Sequence, residues 1–473
     1  MTANPSAKVI APRNGLRVCI VIVLASFFAI AVRWHLFSVN SHYYYRWAWQ
    51  WIDSKTVYSV LIPLAIPFFI GQALYLRRPA RTGMALALVT LSTFGLMIGG
   101  AVVQKDPPSF SRISDTVESR WSTGYFDTAV RLVHRNISVR ELLRRYPTLL
   151  DHFYLHPRQK PPGLILFEML IVHVFGDGNT GAMVSGWIIA VVASFSVVST
   201  YLFIKCFTES RDVAFFGASY FALCPSLLMF FPDFDPCFPN LTALLAILWA
   251  LALKKNQMRY AVGLGLAYGV TGLITYLPGV LPIFLVGFTY LQNRSDPQCR
   301  WPRIARHVGI AAAAFLVFYL ALWAISGFDP VATLRECFRQ VNILWDKLIN
   351  VYHYPHHSLP WTTFTDLYDF ALGSGWISFV LVVFYFRSAM KEGLAPQARI
   401  ALVGVSQFVI IAMAGLLQTE SARIWIFMYP MLMLPIGLEL ARWRPMGRMV
   451  AYVALLILTV MMCQSMEFIS GAK

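Results

Sequence analysis

The sequence predicts an all-α polytopic membrane protein with about thirteen transmembrane helices. Three observations carry that reading. Of 473 residues, 58% are hydrophobic and only 13% are charged, where soluble proteins carry roughly a quarter charged residues. The apolar residues collect in runs of near-spanning length. The net charge of +16 divides across those runs as membrane topology requires.

In chain order the runs fall at 15–34, 56–76, 83–103, 181–204, 213–231, 237–253, 259–276, 279–292, 307–326, 373–387, 399–417, 423–441 and 448–466. Several are short or punctuated by proline. The first has a basic start and an apolar core, like a signal peptide, and is read as an uncleaved signal anchor because so many spans follow it. One more run, PPGLILFEMLIVHVFG, is short and contains Glu168 and His173. If it does not span, and Lys8, Arg13 and Arg17 are cytoplasmic, the inner segments hold 21 Lys and Arg against 5 acids, a net of +16; the outer segments hold 18 of each, a net of zero. If it did span, every later basic loop would flip outward. It is therefore expected to be a re-entrant or surface-lying helix on the outer side. This places the N-terminus inside and the C-terminus outside.

The whole excess charge is topology, which leaves no basic patch for nucleic acid. Seven cysteines lie scattered, without metal-ligand spacing, so neither a disulfide framework nor a zinc site is expected. The chain divides into an N-terminal transmembrane pair (1–82), a core (83–292) carrying an outer loop at 104–180, and a C-terminal transmembrane region (293–473) carrying a second outer loop at 327–372. Chemistry on the outer face should involve these two loops and the helix ends beside them.

In the first loop, Ser138-Val-Arg-Glu141 fits a capping box, opening an amphipathic helix that ends before Pro147. The preceding TGYFDTAVRLVH is also amphipathic. Two such basic helices beside a bilayer are expected to lie on the membrane surface. There follows HPRQKPPG, in which three prolines fix φ and remove donors, holding His156, Arg158 and Lys160 on a stiff segment. Pro162 can begin the next helix, and a helix N-terminus flanked by Lys, Arg and His favours a phosphate. A basic stop contacting lipid headgroups is the plainer reading of the same residues.

Two acids, Asp233 and Asp235, form a D-x-D between Pro232 and Pro236 on the outer side. Such carboxylates can bind Mg²⁺ or Mn²⁺, orient an acceptor, assist the base, or simply solvate a helix end. Glu420 and Arg423 precede an apolar span at the outer surface; the arginine suits bidentate phosphate recognition and can pair with Glu420 when the site is empty. His353, His356 and His357 in YHYPHHSLPW could supply metal ligands, but no nearby cysteine or acid supports that, and they read as loop or acceptor-facing wall.

An aromatic and alanine helix (GYFDTA), a second amphipathic helix, and then H-x-x-x-K-P-P-G running into an apolar helix together resemble the GT-C superfamily of membrane glycosyltransferases. Within it they are similar to protein O-mannosyltransferases, aminoarabinose transferases and related glycosyltransferase 39-like proteins. PSLLMFFPDFDPCFPNLTALLAILWALAL resembles the core helices that follow, and TESARIWIFMYPMLMLP the E-x-x-R-x-W…P segment of several members. The resemblance covers roughly 83–290 and 417–437. It implies a GT-C-like bundle with juxtamembrane helices on the outer face, acting as a hexosyl- or pentosyltransferase of the cell envelope, in a bacterial inner membrane. The donor would be a polyprenyl-phosphate sugar and the acceptor a glycan, lipid or protein. It also places Lys160 near the lipid phosphate, with His156 and Arg158 as neighbours and Arg423 as a further phosphate contact. The base is implied to be an acid of the first outer loop. Where many members carry that acid, this chain has Trp121 and Ser122, which leaves Asp115, Glu118 and Asp127 as the shortlist. A monophosphate leaving group can be neutralised by Lys and Arg alone, so a divalent cation is optional. Two rivals remain: a secondary transporter, which should show similar halves and broken helices near the midplane, and a non-catalytic protein that binds lipid-linked sugar.

Overall fold

The computed structural model describes residues 14–36, 48–49, 51–154, 156–351, 359, 361–417 and 420–467. Among them, regular structure is helical apart from one two-residue antiparallel ladder, Ala48–Trp49 against Met466–Glu467. The chain is a multi-pass integral membrane protein. Nine of its described helices are long and apolar enough to cross a bilayer, and a tenth span is reached if the bent pair Trp361–Gly373 and Ile377–Glu392 counts as one.

All thirteen expected runs are helical, but the expected count is not met by length. Three fall short. The run at 213–231 breaks into Arg211–Phe221 and Pro225–Met229, and those at 259–276 and 279–292 fold as Met258–Ile274 and Pro282–Ser295. Proline is the cause. Pro225, Pro278 and Pro282 each stand in the first turn of a new helical piece, because a residue without an N–H can begin a helix but not continue one. The apolar run after HPRQKPPG folds as Gly163–Phe175. Its 13 residues rise about 20 Å, too little for a hydrocarbon core of about 30 Å.

At one end of the bundle the basic loops gather with their few acids. Arg17 pairs with Glu439, Arg442 with Glu392 at 2.9 Å, and Lys254 with Glu209 at 3.5 Å. At the other end the two long loops form a common layer. The helix Pro330–Asn350, capped by Asp329 through the N–H groups of Val331 and Ala332 (2.9 and 2.8 Å), reaches the first loop. There Arg339 meets Asp151 at 3.1 Å, and Gln340 donates to the same carboxylate.

The amphipathic helices of the first loop differ from expectation in what they cover. Three are present, Ser111–Glu118, Tyr125–His134 and Val139–Leu149. Their apolar sides, including Ile113, Phe126, Leu142 and Tyr146, are buried against the rest of the protein, so protein packing and not lipid takes up their amphipathicity. Ser138 does cap the last of them, accepting from Glu141 N–H at 3.2 Å. Glu141 instead pairs with Arg145 at 2.8 Å, so only half of the expected box forms. The helix runs through Pro147 instead of stopping before it, because in the final turns a missing donor costs a single bond.

The glycine that ends HPRQKPPG has a packing reason. A Cβ on Gly163 would stand 2.4 Å from the carbonyl oxygen of Leu273 and 2.9 Å from its carbon, and backbone cannot yield as a side chain can. The short helix is thus seated directly on the end of Met258–Ile274. Gly163→Ala should destabilise the fold by about 1–3 kcal/mol through overpacking. Gly83→Ala, with nothing within 4 Å of the added carbon, should leave stability nearly unchanged. Thermal unfolding of both variants in nanodiscs checks this.

Candidate functional site

Three stretches distant in sequence meet at the loop face, and Arg423 is their hub. Its Nη1 lies 3.0 Å from Asp233 Oδ2 and its Nε 3.5 Å from Asp235 Oδ2, while Nη2 pairs with Glu420. All four side chains are nearly closed off from solvent. Each stretch is built to present these groups. Asp233 and Asp235 sit on a tight turn between two helices, where Asp233 N–H donates to Phe230 O at 2.8 Å and a 3-10 turn runs over Asp235–Cys237. Glu420 has a left-handed backbone (φ 47°) and is followed by the helical turn Ser421–Ile424, so its carboxylate and the Arg423 guanidinium emerge on one side.

HPRQKPPG supplies the third side. Lys160 is close enough to the cluster for Asp235, Arg423 and Glu420 all to act on its ammonium; burial is the stronger influence and lowers its pKa. Burial, with the cations Arg423 and Lys160 beside it, pushes His156 down to about 3. That imidazole is therefore neutral at physiological pH, so it meets an anion as a hydrogen-bonding group and not as a charge. Asp233 is driven the other way, up to about 7, by burial and by Asp235, against the opposing pull of Arg423. The phenol of Tyr125, at the start of Tyr125–His134, is raised by burial and by Asp235, which places it at the same cluster.

The framework behind these groups is made of other residues. Tyr146 donates its O–H to the carbonyl of Lys160 at 2.9 Å, and Cys337 Sγ approaches the same oxygen at 3.6 Å. Gly124 adopts φ 68°, and a Cβ there would lie 3.1 Å from Tyr154 and 3.4 Å from Pro157, so the helix carrying Tyr125 starts hard against HPRQ. Beneath the Glu420–Arg423 turn, Asp369 Oδ2 accepts from Ala422 N–H at 2.8 Å and from Ser421 Oγ at 3.3 Å. Ser226 Oγ donates to Ala422 O at 2.6 Å and is itself held by Tyr429 at 2.9 Å.

Of the residues singled out from sequence, the structure brings together His156, Lys160, Asp233, Asp235, Glu420 and Arg423. Others lie apart from that cluster in their bonding. Arg158 donates to the carbonyls of Asp151 (2.8 Å) and Phe153 (2.9 Å), which clamps its own loop. Asp127 pairs with Arg131 at 2.9 Å and Arg120 at 3.3 Å, and both arginines lie over the Tyr154 ring. Asp115 pairs with Lys105 at 2.5 Å. Glu118 is raised by burial and by Asp115. His353, His356 and His357 lie outside the described residues. Among the described residues no group of three or more His, Cys, Asp and Glu is arranged to hold a metal ion. Asp233 and Asp235 are both turned to the Arg423 guanidinium.

Sequence reading missed Tyr125, Tyr146, Cys337 and Asp369. For Asp369 a signal existed, since an acid one turn before an apolar span is costly unless it has a task. Asp369→Ala should remove the acceptor of Ala422 N–H, at a cost of about 1–3 kcal/mol for a buried donor left unpaired, and loosen Arg423. Asp369→Asn keeps an oxygen acceptor and should lose less. Unfolding midpoints of the two variants against wild type measure the difference.

No known family's sequence model matches the chain, and no curated protein matches it. Among solved structures it is similar to the crystal structure of the Archaeoglobus fulgidus oligosaccharyltransferase in the apo form. The TM-score is 0.48 at 12% sequence identity, and the match covers 81% of this chain and 56% of that one.

Proposed function

We propose that this protein is a membrane glycosyltransferase that moves a sugar from a polyprenyl-phosphate donor to a hydroxyl acceptor on the outer face of the membrane, with its basic loops cytoplasmic. The observation that carries the reading is the convergence of Lys160 and Arg423 on one secluded site with a carboxyl poised near neutrality. Two cations at one point suit a phosphate. A carboxyl whose pKa is about 7 suits proton transfer at physiological pH. The motif resemblance supplies the substrate class.

In this mechanism Lys160 and Arg423 take the donor phosphate, and the neutral His156 adds a hydrogen bond to it or to the sugar. The acceptor hydroxyl attacks the anomeric carbon as Asp233 accepts its proton. The new glycosidic C–O bond forms while the anomeric C–O bond to phosphate breaks, and its electron pair leaves with the polyprenyl phosphate, whose charge the two cations balance. One displacement inverts the anomeric centre. The loop acids Asp127 and Asp115 are left as ion-pair partners, and the base moves to the D-x-D. Lys160 and Arg423 alone balance the phosphate charge in this step, with Arg423 on the carboxylates of Asp233 and Asp235. The charged groups sit at helix ends and not near the bundle's midplane, which is where a transporter's coupling site is expected.

The test uses purified protein in nanodiscs with a panel of polyprenyl-phosphate sugars. Wild type should gain thermal protection from one donor, and Lys160→Ala should lose it. Asp233→Asn should keep that protection while turnover falls by about 10²–10⁴-fold. Because Asp233 works only without its proton, kcat/KM should rise with pH and reach half its plateau near pH 7, the value to which burial raises this carboxyl; the variant should lack this limb. Protection by no donor, or full turnover in Asp233→Asn, would overturn the proposal.

A further inference from the structure

At the opposite end of the bundle from Lys160 a second feature is present that the transfer reading does not use. The helices Phe238–Lys255, Met258–Ile274, Pro282–Ser295 and Trp301–Ser326 border an open apolar cavity of about 800 Å³. Its wall includes Trp249, Leu264, Tyr268, Leu285, Trp301 and Phe315. In the wall, Thr289 Oγ1 accepts from Trp249 Nε1 at 2.8 Å, while the buried hydroxyl of Tyr268 has no hydrogen-bond partner. The volume falls in the range of about 300–1,000 Å³ usual for ligand sites.

The cavity follows from how Trp301–Ser326 is attached. No part of its apolar window is buried. It is joined to Met258–Ile274 along a glycine seam, where a Cβ on Gly265 would stand 2.1 Å from Ala311 O and one on Gly269 2.5 Å from the Phe318 ring. Drawn in on that side, it leaves a gap toward Pro282–Ser295 that no side chain fills.

The mouth of the gap is cationic. Between residues 253 and 307 the chain carries Lys254, Lys255, Arg259, Arg294, Arg300, Arg303 and Arg306 against one acid, Asp296. Trp301 and Ile304 of the wall flank Arg303. That arginine donates to Leu253 O at 2.5 Å and Gln298 O at 3.1 Å, but its buried Nε has no hydrogen-bond acceptor. Arg294 lies 5.0 Å over the ring of Tyr290, another wall residue, and both Arg294 and Arg300 are exposed. Asp296 is engaged by Gln298 N–H at 2.9 Å. Topology alone accounts for basic loops at this end. It does not account for an unfilled apolar chamber directly beneath them, or for an arginine N–H left without an acceptor at its rim.

We infer that this chamber binds one anionic phospholipid from the leaflet on the basic face, its acyl chain in the cavity and its phosphate among Arg294, Arg300 and Arg303. Basic pockets between membrane helices recognise anionic headgroups by charge, and the apolar chamber selects a lipid over a soluble phosphate.

Native mass spectrometry of the full chain in detergent, titrated with dioleoyl phosphatidylglycerol or dioleoyl phosphatidylcholine, tests this. Phosphatidylglycerol should be retained as one bound copy about tenfold more tightly than phosphatidylcholine. Arg294→Gln with Arg300→Gln should remove that preference, and Ala312→Trp, which fills the cavity from Trp301–Ser326, should remove the bound copy. If circular dichroism shows Ala312→Trp unfolded, Val286→Trp blocks the chamber from the facing helix. Equal retention of the two lipids would overturn the headgroup assignment. An anionic preference that survives a folded chamber-filling variant would overturn the cavity and leave surface charge as the cause.

Discussion

One guanidinium organises the loop face. Asp233, Asp235 and Glu420 come from two separate turns, and without Arg423 among them three carboxylates would crowd a secluded site with mutual repulsion and no solvent to screen it. Desolvating charges is expensive, and the cost is met only when geometry and further hydrogen bonds complete the arrangement. Arg423 does this with its three nitrogens, one directed to each acid. The cluster therefore fixes the D-x-D turn against the Glu420–Arg423 turn, and with them the side on which Lys160 and His156 must approach. A site held this way has its cations in place before any ligand arrives, which is what binding a phosphate quickly and in one orientation requires.

The pieces that hold the site in place are largely not the pieces that do chemistry in it. Lys160 is held by its carbonyl, through Tyr146, so its ammonium stays available. Arg423 is held through the backbone of its own turn, by Asp369 and Ser226, so its guanidinium is likewise left for the site. The prolines, Gly163 and Gly124 make HPRQKPPG a rigid strut wedged between the end of Met258–Ile274 and the start of Tyr125–His134. The second loop adds its own brace, since Pro330–Asn350 meets both Asp151 and the Lys160 carbonyl. On the proposed reading, stiffness and charge coincide in that one motif because a cation used on a lipid-linked phosphate must not follow the lipid as it moves.

Much of this was legible in the sequence, and what was not has physical causes. Apolar runs located each of the described helices long enough to cross a bilayer, since hydrophobicity acts at the level of segments. The same signals showed that Gly163–Phe175 is too short to span. Length failed where proline divides a run, as at Pro225, because the apolar pattern continues across a break in backbone bonding. Amphipathicity identified the loop helices but not their partner: Leu142 and Tyr146 are equally suited to lipid or to protein, and only the fold decides. Among the site residues, the cluster formed by Lys160, Asp233, Glu420 and Arg423 drew on motifs each visible alone. Arg158 turns back to the carbonyls of Asp151 and Phe153, because proximity in sequence to Lys160 says nothing of which way a long side chain turns. Asp127 stands in the expected loop, yet Arg131 one turn along its helix and Arg120 from the preceding loop both pair with it.

On the proposed reading, the position of the base follows from the same electrostatics. An acid such as Asp127 is held in ion pairs by Arg131 and Arg120 and stands apart from the cluster. Asp233 lies within the cluster, where burial and Asp235 favour its neutral form and only Arg423 restrains the effect. On the proposed reading a donor phosphate competes for that same guanidinium. As the phosphate draws on Arg423 and brings its own negative charge, the one influence that weakens Asp233 as a base is reduced and another that strengthens it is added. Donor binding then makes the carboxylate a stronger proton acceptor at the moment an acceptor hydroxyl can use it, and an empty site, with Arg423 still on its acids, stays quiet. The arginine that holds the cluster together is thus also the group through which the two substrates are coupled.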